Sequence, residues 1–341
     1  MTSLLVIFVL VLIGIAVWQL TKIFDLTQVG KTDNDSGVAN DRDNSVNGYL
    51  MFGFLGFIYI FTIYSLWAWG DFVLGTPASE HGVEVDNLMD ISMWLIFFVQ
   101  TVTQFLLLYY AFKYKGKEGQ KALYFADNNK LEAVWTIIPV IVLAVLILYG
   151  LFTWNEIMYY DDDEDVMYVE LYAKQFSWEA RYAGDDNTLG KANVRYIEGI
   201  NTLGVDVEDP NTQDDKVVQE LHLPKGKKVV FKIRSQDVLH SAYMPHFRAQ
   251  MNCVPGMITQ FAFVPTVTTA EMRLDEAIIK KVEGINKIRA KKSIELVANG
   301  KAALDPYTFD YLLLCNKICG ASHYNMQMKI VVDTPADFKA W

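Results

Sequence analysis

Cysteine is scarce in this chain, with three among 341 residues. That is too few for a disulfide framework at this length. Clustered basic charge is missing as well. Thirty Lys and Arg stand against forty Asp and Glu, a net charge of −10. Phosphate backbones are bound by clustered Lys and Arg, so nucleic acid is not an expected partner. An acidic exposed domain suits a basic protein better, although net acidity also serves solubility alone. No Lys or Arg precedes the first apolar run, and no small-x-small cleavage site follows it. These absences separate that run from a secretory signal and read it as a retained helix.

Apolar residues are plentiful, at 52% of the chain. They concentrate in the first 155 residues, where four stretches have the length and character of membrane spans: Ser3 to Leu20, Tyr49 to Trp69, Met93 to Phe112 and Ala133 to Trp154. Lysines 113, 115, 117, 121 and 130 place the loop between the third and fourth spans in the cytoplasm. The loop between the second and third carries Asp71, Glu80, Glu84, Asp86 and Asp90 with no Lys or Arg, which fits the outside. Lys22, Lys31 and Arg42 in the first loop agree with an inside location. Alternation then puts everything after Trp154 outside. Trp67, Trp69, Trp94, Trp135 and Trp154 sit near span ends, as expected at headgroup level. Pro139 is expected to kink the fourth span. Gln100 and Gln104, four apart, are expected to face protein rather than lipid.

From Val166 the pattern turns to short strands. Val166 to Tyr172, Val217 to His222, Lys228 to Ile233, Met257 to Val264 and Met328 to Val332 read as strands, with turns at Pro224-Lys225-Gly226 and Val254-Pro255-Gly256. Such spacing suggests a Greek-key sandwich or barrel. Residues 184–215 read as polar loops, and Thr269 to Asn299 as a helical insertion whose lysines form a solvated face. The expected division is therefore 1–48 and 49–90, each an additional span with its loop. A helical hairpin follows over 91–155, and an extracytoplasmic β domain over 156–341 with the insertion at about 269–299.

One run carries chemistry. Cys315, Cys319, His323 and Met326 form Cys-x3-Cys-x3-His-x2-Met. Two thiolates, an imidazole and a thioether make a soft donor set, which selects copper over magnesium or calcium. Structural zinc leaves the methionine without a place, and a mononuclear blue-copper site leaves one cysteine unexplained. Two sulfurs bridging two coppers use every donor. That arrangement calls for a second histidine; His240 is the best candidate, with His246 and His222 as rivals that spacing cannot separate. A Cys315–Cys319 disulfide is the other reading of the pair. Cys253 stands alone and reads as a small buried hydrophobe.

Further motifs join this one: Leu131-Glu132-Ala133-Val134-Trp135-Thr136-Ile137-Ile138-Pro139, Gln175-Phe176-Ser177-Trp178, Asp237-Val238-Leu239-His240-Ser241 and Val254-Pro255-Gly256. Together they resemble subunit II of haem–copper cytochrome c oxidase over roughly Ile91 to Val332. The resemblance implies a membrane α-helical region, here with four transmembrane helices, plus an all-β cupredoxin-like Greek-key domain with a helical insertion. It implies a dinuclear CuA centre on His240, Cys315, Cys319, His323 and Met326, with Lys317 contributing its backbone carbonyl. It also implies an electron entry near Phe176 and Trp178, and a proton-pathway entrance at Glu132. The implied partners are oxidase subunits I and III, and a cytochrome c or cytochrome c domain as donor, within an assembly that extends to a respiratory supercomplex. The implied location is a bacterial inner membrane, with the copper domain periplasmic. Oxygen is reduced to water in subunit I, coupled to proton pumping.

Three positions depart from the family pattern. Lys317 stands where a glutamate usually helps hold magnesium against subunit I, and an ammonium cannot ligate a cation. Phe176 replaces the usual tryptophan, and Asn252 a common aspartate. Rival families fit less well: quinol oxidase subunits lack the copper donors, and nitrous oxide reductase needs a further catalytic domain. A membrane-tethered thiol redox or copper-handling protein is the reading from a different class.

Overall fold

The computed structural model describes residues 2–29, 41–70, 73–159 and 165–341. Lys31 and Asp71, used above for orientation, lie outside them. Four helices open the chain: α1 (Thr2–Val29), α2 (Asp41–Trp69), α3 (Glu80–Lys113) and α4 (Asn129–Met158). An apolar run in hydrocarbon must satisfy its backbone polar groups internally, and a helix does so. α2, α3 and α4 are long and apolar enough to cross a membrane, and their apolar side chains point outward rather than into a core. In α1 the described apolar stretch is shorter, Phe8–Ile23. α4 continues through Pro139. Gln100 and Gln104 are half-buried between exposed neighbours.

The chain divides into two compact units, residues 1–66 with 96–128 and residues 67–95 with 129–341. In the first, Gly48 of α2 leaves the space that the Phe112 ring fills; a Cβ there would lie 2.6 Å from Phe112 Cδ2. In the second, the segment leading into α3 is tied to the β domain. Arg248 donates to both carboxylate oxygens of Asp86 at 2.7 Å, and Ser79 Oγ donates to the Phe247 carbonyl at 2.7 Å.

The β domain holds ten strands: β1 (Val166–Lys174), β2 (Ser177–Tyr182), β3 (Lys216–Val218), β4 (Leu221–Pro224), β5 (Lys228–Ser235), β6 (His240–Met244), β7 (Ala249–Cys253), β8 (Thr259–Phe263), β9 (Tyr311–Cys315) and β10 (Gln327–Asp333). They form two five-stranded sheets, ordered β3-β2-β1-β5-β8 and β4-β10-β9-β6-β7. Val169, Leu171, Phe231 and Ile233 from the first meet Leu223, Leu313 and Ile330 from the second in one buried cluster. Each such side chain contributes roughly 1.5–3 kcal/mol on burial.

The segment Val217 to His222, expected as one strand, is two. β3 ends at Val218 and β4 begins at Leu221 in the other sheet, so Gln219 and Glu220 carry the chain across the sandwich. Gln175 and Phe176 form the turn between β1 and β2 rather than lying on a strand. The 269–299 insertion is two helices, α5 (Thr269–Met272) and α6 (Glu276–Ala298), with a last helix, α7 (Pro335–Ala340), after β10. Thr268 and Glu271 cap α5 reciprocally, and Asp275 accepts from two backbone amides at the start of α6. α6 buries Ile278, whereas Ile288 and Ile294 are exposed. Asn286 donates to the Tyr307 carbonyl and accepts from its amide, and Arg289 donates to the Asp305 carbonyl, which ties the helix to the 305–307 loop.

Under the polar 184–215 segment lies a buried ion network. Arg181 donates to Glu170 Oε2 at 2.7 Å, to Asp215 Oδ2 at 2.8 Å and to the Gly190 carbonyl at 3.0 Å. Arg234 donates to the other Glu170 oxygen and to the Leu203 carbonyl. These bonds hold the long loops against the first sheet.

Candidate metal centre

Strand pairing builds the site. Cys315, the last residue of β9, lies opposite Ala242 of β6. Ala242 and His240 are two apart and so share a face, which sets the imidazole diagonally beside the thiol. The chain then leaves the sheet, turns through residues 316–326 and re-enters as β10, antiparallel to β9. That loop folds its own donors back over the strand end. Cys315 Sγ lies 3.7 Å from His240 Nδ1 and 3.8 Å from Cys319 Sγ. Cys319 Sγ lies 3.6 Å from His323 Nδ1 and 3.8 Å from Met326 Sδ. The Lys317 carbonyl oxygen is 3.2 Å from Cys315 Sγ, while the Lys317 ammonium stem is exposed. Each thiol thus has one imidazole, and the donors converge on one buried spot; His240, Cys315 and Cys319 are all buried.

The sulfurs are too far apart for a disulfide, whose S–S length is near 2.05 Å, and both cysteines are free. Burial, helped by the neighbouring Cys315 thiol, pushes the Cys319 thiol up to about 11. A metal held here must therefore displace protons, which ties occupancy to pH. Two soft sulfurs, two imidazoles, a thioether and a carbonyl match copper chemistry.

The surrounding groups hold these donors in place. His240 Nε2 is 2.8 Å from Asp237 Oδ1, which leaves Nδ1 turned toward Cys315. Burial raises the Asp237 pKa, but bonds from His240 and from the Gln175 and Val238 amides outweigh it and hold the carboxyl below its usual value. The Gln175 side chain donates to the Cys319 carbonyl. Trp178 is buried, its indole N–H 3.4 Å from the Met326 carbonyl and its ring 6.4 Å from that of His240. Phe176 packs on Gly320, where a Cβ would lie 2.8 Å from the phenyl Cζ; with φ at +140°, only glycine suits that position. Gln175 and Asp237 stand in the quoted motifs without an assigned role, and Gly320 was not singled out from sequence. The three-residue spacing of Asp237 and His240 was the available signal for one of them.

The rival histidines lie elsewhere. His222 sits between Asp333 and Glu220 and stacks on Trp341 at 4.2 Å. His246 packs edge-on against Phe309 and Tyr311, and its Nδ1 is buried without a partner. Burial first, then Lys281 and Arg248, pull its pKa from 6.5 down to about 4. A depressed folded-state value means the folded protein resists protonation there. Stability is therefore expected to fall as pH drops from 6.5 toward 4 and to level off below. Urea midpoints across that range should show it, and His246→Phe should remove part of the slope.

Two family models match the chain. The transmembrane domain of cytochrome c oxidase subunit II matches residues 67–152, and the periplasmic domain of the same subunit matches residues 167–270. An alternative cytochrome c oxidase subunit 2 of Bradyrhizobium diazoefficiens is 32% identical over 284 residues, covering 83% of this chain and 85% of that protein. The chain belongs to the cytochrome c oxidase subunit II family. A cytochrome c oxidase subunit 2 of Thermostichus vulcanus is 22% identical over 79% of this chain and 77% of its own length. The solved periplasmic domain of subunit II from Bradyrhizobium japonicum is 19% identical, covering 54% of this chain and 93% of that one, at a TM-score of 0.29.

The subunit II transmembrane match takes in α3 and α4 and begins at the end of α2, so α1 and nearly all of α2 lie outside it. The periplasmic match ends at residue 270, where α5 begins, and the 315–326 loop falls beyond it. Glu132 is exposed in the first turn of α4, where the helix dipole favours a carboxylate. Cys253 pairs with His240 across β6 and β7 and is fully buried, with its thiol pushed up to about 12 by burial.

Proposed function

We propose that this subunit accepts electrons from a cytochrome c at a dinuclear copper centre and passes them to haem in subunit I, where oxygen is reduced. The observation that carries this reading is the arrangement of donors: two thiols 3.8 Å apart, each with its own imidazole nitrogen at 3.6 or 3.7 Å. His240, Cys315, Cys319, His323 and Met326 would hold the metal, with the Lys317 carbonyl beside them. Paired copper, when bound, would supply a one-electron couple. The chain's own residues do the rest. Asp237 fixes the His240 tautomer, so that Nδ1 keeps its lone pair for the metal. Trp178, Met326 and the buried strand ends keep water from the sulfurs. Phe176, which packs on Gly320, and Trp178, whose ring is 6.4 Å from that of His240, form the entry proposed for electrons. Glu132 is the proposed entrance of a proton path into subunit I. The Lys317 side chain cannot add to a magnesium site at that boundary. By this reading the protein lies in a bacterial inner membrane, with its β domain in the periplasm and subunits I and III beside its helices.

The intact oxidase is expected to hold two coppers per copy of this chain, beyond any copper in subunit I. Stopped-flow mixing with reduced cytochrome c should bleach a near-infrared band before haem is reduced. Haem reduction with no preceding bleach would contradict the relay. Asp237→Ala removes the group that orients His240. Copper affinity is expected to fall about 10–100-fold, read by competition with a chelator.

A further inference from the structure

We propose that Gln175 is a positioning residue that clasps the two donor-bearing segments of the metal centre together, an inference that rests on the copper reading above. The donors come from two stretches of chain. His240 opens β6, whereas Cys315 closes β9, and Cys319, His323 and Met326 follow in the loop to β10. Past Asn316, whose amide donates to the Ser241 carbonyl at 3.0 Å, the backbone bonds of that loop run within it: His323 to Gly320, Asn325 to Ser322 and Met326 to His323. The loop closes on itself. The place of Cys319 relative to His240 therefore depends on what grips the loop from outside.

Gln175 grips it in the middle. Exposed in the turn between β1 and β2, it extends its side-chain amide to the Cys319 carbonyl. Gly320 makes room for that reach, since a Cβ there would lie 3.0 Å from the Gln175 side-chain nitrogen as well as against the Phe176 ring. The other end of the same residue holds the other segment. Its backbone amide donates to Asp237 Oδ2 at 2.7 Å, and Asp237 Oδ1 lies 2.8 Å from His240 Nε2. The Gln236 amide adds a bond to the Ala173 carbonyl at 2.9 Å, which fixes the turn against the 236–240 segment.

A continuous path of contacts thus runs from the His240 imidazole through Asp237 and Gln175 to the Cys319 backbone. Groups that orient ligands without touching the metal govern how tightly it is held. A single neutral hydrogen bond adds little to global stability, so the effect belongs at the site and not in the unfolding midpoint.

The test uses the full-length chain in detergent, metal-free and copper-loaded, with Gln175→Met, Gln175→Lys and Asp237→Ala. Methionine keeps the length of glutamine without the donor, and lysine keeps a donor. In the metal-free protein, amide hydrogen exchange over residues 317–325 is expected to quicken about tenfold in Gln175→Met and to stay near the parent rate in Gln175→Lys. With copper, Gln175→Met should bind about tenfold more weakly in competition with a chelator and show a shifted hyperfine splitting, and Gln175→Lys should keep both. Asp237 anchors the turn from which Gln175 acts, so the same Gln175→Met change should cost less than about threefold in an Asp237→Ala background. Parent-like exchange and affinity in Gln175→Met, or losses that simply add with Asp237→Ala, would overturn the clasp while the copper reading stands. Equal losses in Gln175→Lys and Gln175→Met would assign the effect to packing and overturn it too. A parent protein that holds no copper pair in a metal assay would overturn the reading beneath, and exchange in the metal-free protein would still decide the role of Gln175.

Discussion

Replacing Cys319 by serine is expected to abolish the near-infrared absorption of the copper-loaded protein and to lower its copper content to one ion per chain or none. Cys319 is the residue on which the site turns. Its sulfur is the one that neighbours Cys315, His323 and Met326 together, all within 3.8 Å. A serine hydroxyl is smaller and harder, and it stays protonated where a thiol bound to copper does not. Turnover with cytochrome c should fall by more than about 100-fold, beyond what loss of a supporting residue costs. Folding should survive, because Cys319 lies in the loop between β9 and β10 and pairs with no strand. Circular dichroism and membrane insertion should match the parent. A variant that keeps its absorption and both coppers would remove Cys319 from the ligand set.

Arg181→Ala is expected to cause the largest loss of stability. Arg181 is 1% exposed and its guanidinium satisfies Glu170, Asp215 and the Gly190 carbonyl at once. Truncation leaves Asp215 buried without its cation, and Glu170 with Arg234 as its remaining partner. Breaking one partner of a buried pair costs about 3–5 kcal/mol, well above the net worth of the pair itself. The urea midpoint of the detergent-solubilised protein should drop accordingly. The polar 184–215 segment should become sensitive to protease first, because Gly190 and Asp215 are where it is pinned. A loss of unfolding free energy below about 1 kcal/mol would place the network outside the stabilising core.

How much of this was legible in the sequence depended on the kind of pattern each element carries. The long helices were readable because hydrocarbon imposes a length and a composition together. Strands with alternating or β-branched runs, such as 166–174 and 228–235, were readable for a similar reason. β2 was not, because its outward-facing Glu179 and Arg181 serve a buried network rather than solvent. β6 and β7 were hidden too: His-Ser-Ala-Tyr-Met and Ala-Gln-Met-Asn-Cys mix donors and small residues where apolar alternation would be the signal. The four donors in the 315–326 loop stood out because so short a run has few other uses for them. His240 could be shortlisted but not chosen over His222 and His246 until the β6–β9 pairing set it beside Cys315. Asp237, Gln175 and Gly320 act through contacts made across the fold, and spacing encodes little of that.

The most direct test is the electron paramagnetic resonance spectrum of the oxidised, copper-loaded protein. One unpaired electron shared equally by two copper nuclei gives a seven-line hyperfine pattern, and that is the result expected of two thiols each with its own imidazole. A four-line spectrum, or a silent sample with a Cys315–Cys319 disulfide, would contradict the account.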